Sequence, residues 1–194
     1  LVKLHKRGRM LVSSYEALRF QHLDVFTVIL KQIGAYIASA QLDDAVDVLL
    51  NGDGNNNAAT GGTKAGGALA YSDLVALWTS LSPYKMTTML GNSAALQAIL
   101  NINEMKDANA GLNFHGTGNL VTPAGANLIH VPNLTLATNK IIGIDKNCAL
   151  EMVQASDVII DTDKLIDRQL ERTCVSAIAG FAKIFNAATK TMTV

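Results

Sequence analysis

The chain has 194 residues, 49% of them hydrophobic, enough for one large or two small domains and too apolar for disorder throughout. Sixteen Lys and Arg balance sixteen Asp and Glu, so the basic excess of a dedicated nucleic-acid binder is absent. Cys148 and Cys174 fit no zinc or disulfide spacing and read as the reduced thiols of a cytosolic product, while no apolar run approaches the ~20 residues of a transmembrane helix and no signal peptide is visible.

A local basic cluster, Lys3, Lys6, Arg7 and Arg9 in "KLHKRGR", opens the chain and reads as a solvated or subunit-facing segment. "VSSYEALRF" then places Ser13 three residues before Glu16, a capping box that predicts a short helix. From Asp24, as N-cap, to Leu50, apolar residues recur at helical spacing: Phe26, Ile29, Leu30, Ile33, Ile37, Ala40, Val46, Leu49 and Leu50. Such a helix would run about 40 Å and serve as a spine, stopped at Asn51-Gly52.

"NGDGNNNAATGGTKAGGALA" follows, residues 51–70. A phosphate-binding loop requires Gly-Lys-Ser/Thr, but Lys64 stands between Thr63 and Ala65. A calcium loop counted from Asp53 would put Ala58 at the tight-turn glycine and Lys64 at the bidentate glutamate. With both sites excluded, the stretch reads as a flexible connector.

"YSDLVALWTSLS" predicts a helix with Ser72 as cap, Leu74, Leu77, Trp78 and Leu81 on one face, and Pro83 just beyond. "YKMTTML" reads as a strand, and "GNSAALQAILNI" as a helix with Leu96, Ile99 and Leu100 inward. Residues 104–139 are turn-rich, with a short strand at "NLIHV". "NKIIGID" and "CALEMV" read as strands joined through "DKN", and 158–163 as a further strand. From Leu165 onward two periods compete. Leu165, Ile166 and Leu170 suit a helix, whereas Cys174, Ser176, Ile178 and Gly180 alternating with Val175, Ala177, Ala179 and Phe181 suit a strand. Helices segregated from strands argue an α+β fold.

Catalytic constellations are weak. His5, His22, His115 and His130 form no metal spacing, and no nucleophile elbow, zincin motif or dinucleotide fingerprint occurs. Cys148 with His115 could form a thiol and base, although the context "DKNCALEMV" favours an incidental thiol. Asp161 and Asp163 could share a strand face and hold a metal. Interleaved with Lys164, Asp167, Arg168, Glu171 and Arg172, they read instead as surface or intermolecular ion pairs. The residues therefore predict no enzyme, cofactor or metal.

The segment "VSSYEALRFQHLDVFTVILKQIGAYIASAQLDDAVDVLLNGDG" resembles the spine-helix region of tailed-bacteriophage major capsid proteins, which have the Hong Kong 97-type fold. The resemblance continues through "SDLVALWTSL", "MTTMLGNSAALQAILNINE" and "KIIGIDKNCALEMV", and closes on "DVIIDTDKLIDRQLERTCVSAIAGFAKIF", where it favours a long strand. It covers nearly the whole chain as a pattern of order and spacing, since the family carries no short catalytic signature.

The resemblance implies a peripheral domain from residues 1–68, with spine helix and connector, and from 153–171. It implies an axial domain from 69–152, with a return to it over 172–194. It further implies a shell of pentamers and hexamers in the virion, made in the host bacterial cytoplasm and enclosing DNA without sequence-specific contact. Scaffold, maturation protease and portal would be partners, and no membrane is involved. Relatives carry an N-terminal arm and a long hairpin before the spine helix, so the chain, which starts at Leu1, reads as a truncated fragment. No Lys or Asn here matches the isopeptide cross-link of some relatives, and none is predicted. Subunit contact falls to Lys3, Lys6, Arg7, Arg9, Asp161, Asp163, Lys164, Asp167, Arg168, Glu171 and Arg172. The alternatives are an encapsulin-type nanocompartment shell, which packages an enzyme, and a cytosolic thiol enzyme built on Cys148.

Overall fold

The computed structural model describes residues 2–20, 23–64, 66–106, 122, 125–132 and 139–194. The chain divides into two compact units, one of Leu1–Ala45 with Met152–Phe181 and one of Val46–Glu151 with Ala182–Val194.

The first unit holds a three-stranded sheet in the order β1-β7-β6, with β1 at His5–Ser14, β6 over Leu150–Leu165 and β7 over Leu170–Lys183. β1 pairs antiparallel with β7 from His5↔Ala179 to Ser14↔Leu170. Helix α1, Tyr15–Phe20, follows β1 directly. Its cap is Ser14, whose hydroxyl accepts from the Ala17 amide at 3.2 Å, so the predicted Ser13 cap moves one residue because the helix begins only at Tyr15. Helix α2 runs 29 residues, Leu23–Asn51. The predicted Asp24 cap and the Phe26 contact lie among side chains outside the described residues, as does His22. The spine helix lays Ile33 and Ile37 on Val175 and Ala177 of β7, with Ile29 and Leu11 at the margin. Leu30, assigned to the inner face by its spacing, is 39% exposed.

β7 decides the competition between periods. Val175 and Ala177 face α2 on alternate residues, and strands flank β7 on both sides, so every backbone group can pair. A helix here would leave the edges of β1 and β6 unjoined. The two separate strands predicted at 148–153 and 158–163 are one, β6, because an edge strand needs partners on one side only and tolerates polar Gln154–Ser156.

The second unit is built on a five-stranded sheet, β2-β8-β5-β3-β4. These strands are β2 (Thr60–Thr63), β3 (Thr88–Gly91), β4 (Asn127–His130), β5 (Lys140–Ile144) and β8 (Thr189–Thr193). β8 is antiparallel to β5 and β5 to β3, while β2 runs parallel to β8 and β4 to β3. One face packs Met89, Leu128, Ile141 and Met192 on Leu74, Leu77 and Leu81 of the α3 (Tyr71–Ser80) region and on Leu96 and Ile99 of α4 (Ser93–Leu100). A short helix, α5 (Asn103–Lys106), closes this layer through Met105. The other face packs Leu90 and Ile142 on Val46, Leu49 and Leu50, the last turns of α2. Fully buried side chains such as Leu81, Met89, Ile99, Ile141 and Ile142 contribute about 1.5–3 kcal/mol each.

Three local expectations change. The cap of α3 is Ala70, not Ser72; the Asp73 carboxylate accepts the Ala70 amide at 3.0 Å. Trp78 is 46% exposed rather than inward. The 51–70 stretch is partly structured. Asp53 accepts from the amides of Asn55 and Lys183, Gly52 sits at φ +84° as the residue that ends α2, and β2 forms from "TGGT". Pairing with β8 supplies the order that local composition does not, and the stretch falls within the second unit.

Candidate subunit-contact surface

The basic side chains of β1 do not behave alike. Arg7 donates from Nε to Asp44 Oδ2 at 3.0 Å and from Nη2 to Oδ1 at 2.5 Å, and this bidentate bond holds its pKa above the ordinary value. His5 Nδ1 lies 3.4 Å from the same carboxylate. The Arg9 guanidinium stacks 4.0 Å over the Tyr36 ring. Lys3 and Lys6 are exposed and have no ion-pair partner among the described residues. Next to Asp44, burial and the neighbouring carboxylate push Asp43 up.

On the β6–β7 hairpin Arg172 pairs with Asp163 across the strands. Arg168 and Asp167 meet at 3.7 Å in the turn, both more than 70% exposed, a geometry that contributes little. Asp161 and Lys164 are exposed on β6, and Glu171 is half-buried at the start of β7. The eleven charges singled out in the sequence therefore fall into two groups on one sheet, the basic one on β1 and just before it, the mixed one on β6, the turn that follows and the start of β7. Arg7 and Arg172 are paired within the chain, whereas Lys3, Lys6 and Asp161 have no ion-pair partner among the described residues.

The second unit contains a group that motif reasoning missed. Lys183 is 7% exposed, and its Nζ donates to the carbonyls of Leu49 at 3.2 Å and Asn57 at 3.0 Å. Burial lowers its pKa to about 8, against the opposing pull of Asp53 and with the aid of Lys190. Burial pushes Asp53 itself up. Hydrogen bonds from the Lys183 and Asn55 amides and from the Asn57 and Asn55 side chains outweigh that and hold it below the usual carboxylate range. The signal was available in "GFAKIF", a single lysine inside an apolar run. Its ammonium ties the C-terminal carbonyls of α2 to the 53–57 turn.

Among the described residues no catalytic grouping stands out. Cys148 is half-buried against the core beside Leu150 and Ile144, and its proposed base His115 lies outside the described residues. Ser93 Oγ and His130 form an exposed hydrogen bond at 2.8 Å. A cavity of about 290 Å³ opens between β2, β8 and α3, with Thr60, Asp73, Ser80 and Lys190 on its wall. Among the described residues no three His, Cys, Asp or Glu side chains converge on a metal site, and no helix is long and apolar enough to cross a membrane.

Residues 1–188 match the family described as phage capsid protein. The chain belongs to the phage capsid protein family.

Solved capsids share this capsid protein's fold. The capsid of a native GTA particle superposes with a TM-score of 0.74 at 18% identity, covering 99% of this chain and 73% of that one. The corresponding values for Mycobacterium phage Che8 are 0.70, 12%, 97% and 70%. The holo-SrpI encapsulin complex from Synechococcus elongatus gives 0.72, 12%, 98% and 73%. Comparison by sequence with curated proteins gives no match. The fold is thus of the Hong Kong 97 type, α+β with a long spine helix, as the sequence resemblance implied. The capsid protein is a structural shell subunit that self-associates, and its place is the virion capsid.

Proposed function

We propose that this capsid protein closes an icosahedral head from pentamers and hexamers and encloses DNA without reading its sequence. The observation that carries the reading is the family match over 1–188 joined to a fold shared with assembled phage shells. The first unit would be the peripheral domain and the second the axial domain. Scaffold, maturation protease and portal would act during assembly in the host bacterial cytoplasm. The neutral net charge supports close packing without strong self-repulsion. Lys3, Lys6, Asp161, Lys164, Asp167 and Arg168, unpaired or only weakly paired among the described residues, would be the ones left for neighbours, with Arg7, Arg9, Asp163, Glu171 and Arg172 shaping the same sheet.

The likeness to an encapsulin supports a second reading, a nanocompartment that packages a protein. Negative-stain imaging of the expressed protein, followed by nuclease treatment and analysis of particle contents, separates the two. Closed shells protecting DNA are expected; shells holding a protein cargo and no DNA would favour the compartment, and lack of shells under all assembly conditions would sink both. In the same assay Arg168→Glu with Arg172→Glu should lower shell yield. Normal yield would remove these two arginines from the contact.

A further inference from the structure

Helix α3 carries two features on opposite flanks. Its core stripe is Leu74 and Leu77, with Leu81 just past its end, packed on Ile141 and Met192 of the sheet. At about 100° per residue, Asp73, Ala76 and Ser80 fall to one side of that stripe, and Val75 and Trp78 to the other.

On the first side lies the cavity of about 290 Å³ between α3, β2 and β8. A missing side chain leaves this space open. The register Gly62↔Met192 puts Gly62 on the face of β2 that looks toward α3, and a Cβ there would meet nothing within 4 Å. Leu77 and Met192 give the cavity apolar surface, and Thr60, Ser80 and Lys190 give it polar atoms. Its volume lies below the roughly 300 Å³ at which small-molecule sites begin, and suits a single large side chain.

On the other side Trp78 is 46% exposed and Val75 38%. Trp78 is the only tryptophan of the chain, and no charged residue occurs from Leu74 to Tyr84. A bare tryptophan on a surface without charge has the composition of an interface core, not of a solvated helix face.

We propose that Trp78 of one copy of this capsid protein inserts into the cavity between α3, β2 and β8 of the next. The indole lies against Leu77 and Met192. The Ser80 hydroxyl, which donates to the Leu77 carbonyl at 2.7 Å, keeps its lone pairs for the indole N–H. Lys190, whose Nζ donates to Thr60 Oγ1 at 2.6 Å, supplies a cation for the ring face. Trp78 and the cavity stand on opposite flanks of one helix, so a two-fold pair cannot engage both at once. Copies follow one another head to tail, and such contacts close into a ring where the rotation permits. The inference rests on the shell reading and names the socket through which neighbours in a ring engage.

Because Trp78 is the sole indole, its fluorescence reads this contact directly. In the free chain acrylamide should quench it readily. On association the emission should move to the blue and the quenching should fall. Gly62→Leu fills the cavity from an exposed strand at a position without positive φ, and Trp78→Ala removes the inserted ring. Each should weaken association at least about tenfold, the scale of losing a buried aromatic anchor. Mixed together, the two variants should form one-to-one pairs and nothing larger, because only the tryptophan of one and the cavity of the other are intact. Circular dichroism checks the fold of each. Trp78 that stays open to acrylamide in rings or shells, or that is shielded equally in particles of Gly62→Leu, overturns the insertion while leaving the shell reading in place. Undiminished assembly of either variant does the same. An unsubstituted chain that never associates overturns both.

Discussion

Lys183 shows how one side chain can hold a turn of backbone in place. The last carbonyls of α2 lack intrahelical partners, and no basic residue occupies the last turn of that helix. The ammonium arrives instead from the end of β7 and takes Leu49 O and Asn57 O together. Replacing it by methionine leaves both acceptors without their donor and should cost about 1–3 kcal/mol in a urea titration. The pH dependence has a definite sign. The folded value is about 8 and the free-lysine value 10.5, so between them the unfolded chain binds more protons than the folded one. Stability contributed by this group is therefore lowest below pH 8, rises as pH climbs from about 8 to 10.5, and levels off above. Urea midpoints measured across that window should show the rise in the parent chain and lose it in Lys183→Met.

At the scale of elements, β1 and β7 approach so closely that small residues are obligatory. A Cβ on Gly180 would stand 2.3 Å from the Lys3 carbonyl oxygen, and one on Gly8 would stand 2.7 Å from that of Val175. Neither contact involves a flexible side-chain tip, so the strands themselves would have to separate. Gly180→Val should strip the start of β1 from the sheet. The expected readout is rapid amide exchange over residues 5–9 with the second unit unchanged; retained protection there would show that the strands can shift to accommodate the side chain. The same closeness explains why β7 is rich in alanine, serine and glycine. Those residues gave an ambiguous period in the sequence, because small side chains mark neither a helical stripe nor a strand face strongly, and the decision came from strands on either side that needed a partner.

At the scale of the whole molecule the two units differ in how much core they own. The first rests on Ile33, Ile37, Val175 and Ala177, with Leu11 and Ile29 at the edge. The second has apolar layers on both faces of a five-stranded sheet, from Leu74 to Met192 on one side and from Val46 to Ala188 on the other. Burial of apolar area is the main stabilising term, so the first unit should open at lower free energy in the unassembled chain. Hydrogen exchange of free protein should show β1, β6 and β7 exchanging ahead of β3, β5 and β8. Equal protection of the two units in free protein would contradict the ranking.

By itself the sequence determined the spine helix, the α4 helix and the β4 and β5 strands, because each is written in a local period or a run of β-branched residues with recognisable ends. It also determined the family through the order of those segments. Only the tertiary structure decided that "TGGT" is a strand, that β6 is continuous, that Trp78 faces out and that Lys183 is buried between two carbonyls. For β2 and Lys183 the deciding partner is distant in the chain, β8 in one case and Leu49 and Asn57 in the other, and a local pattern cannot register a partner that only the fold brings close.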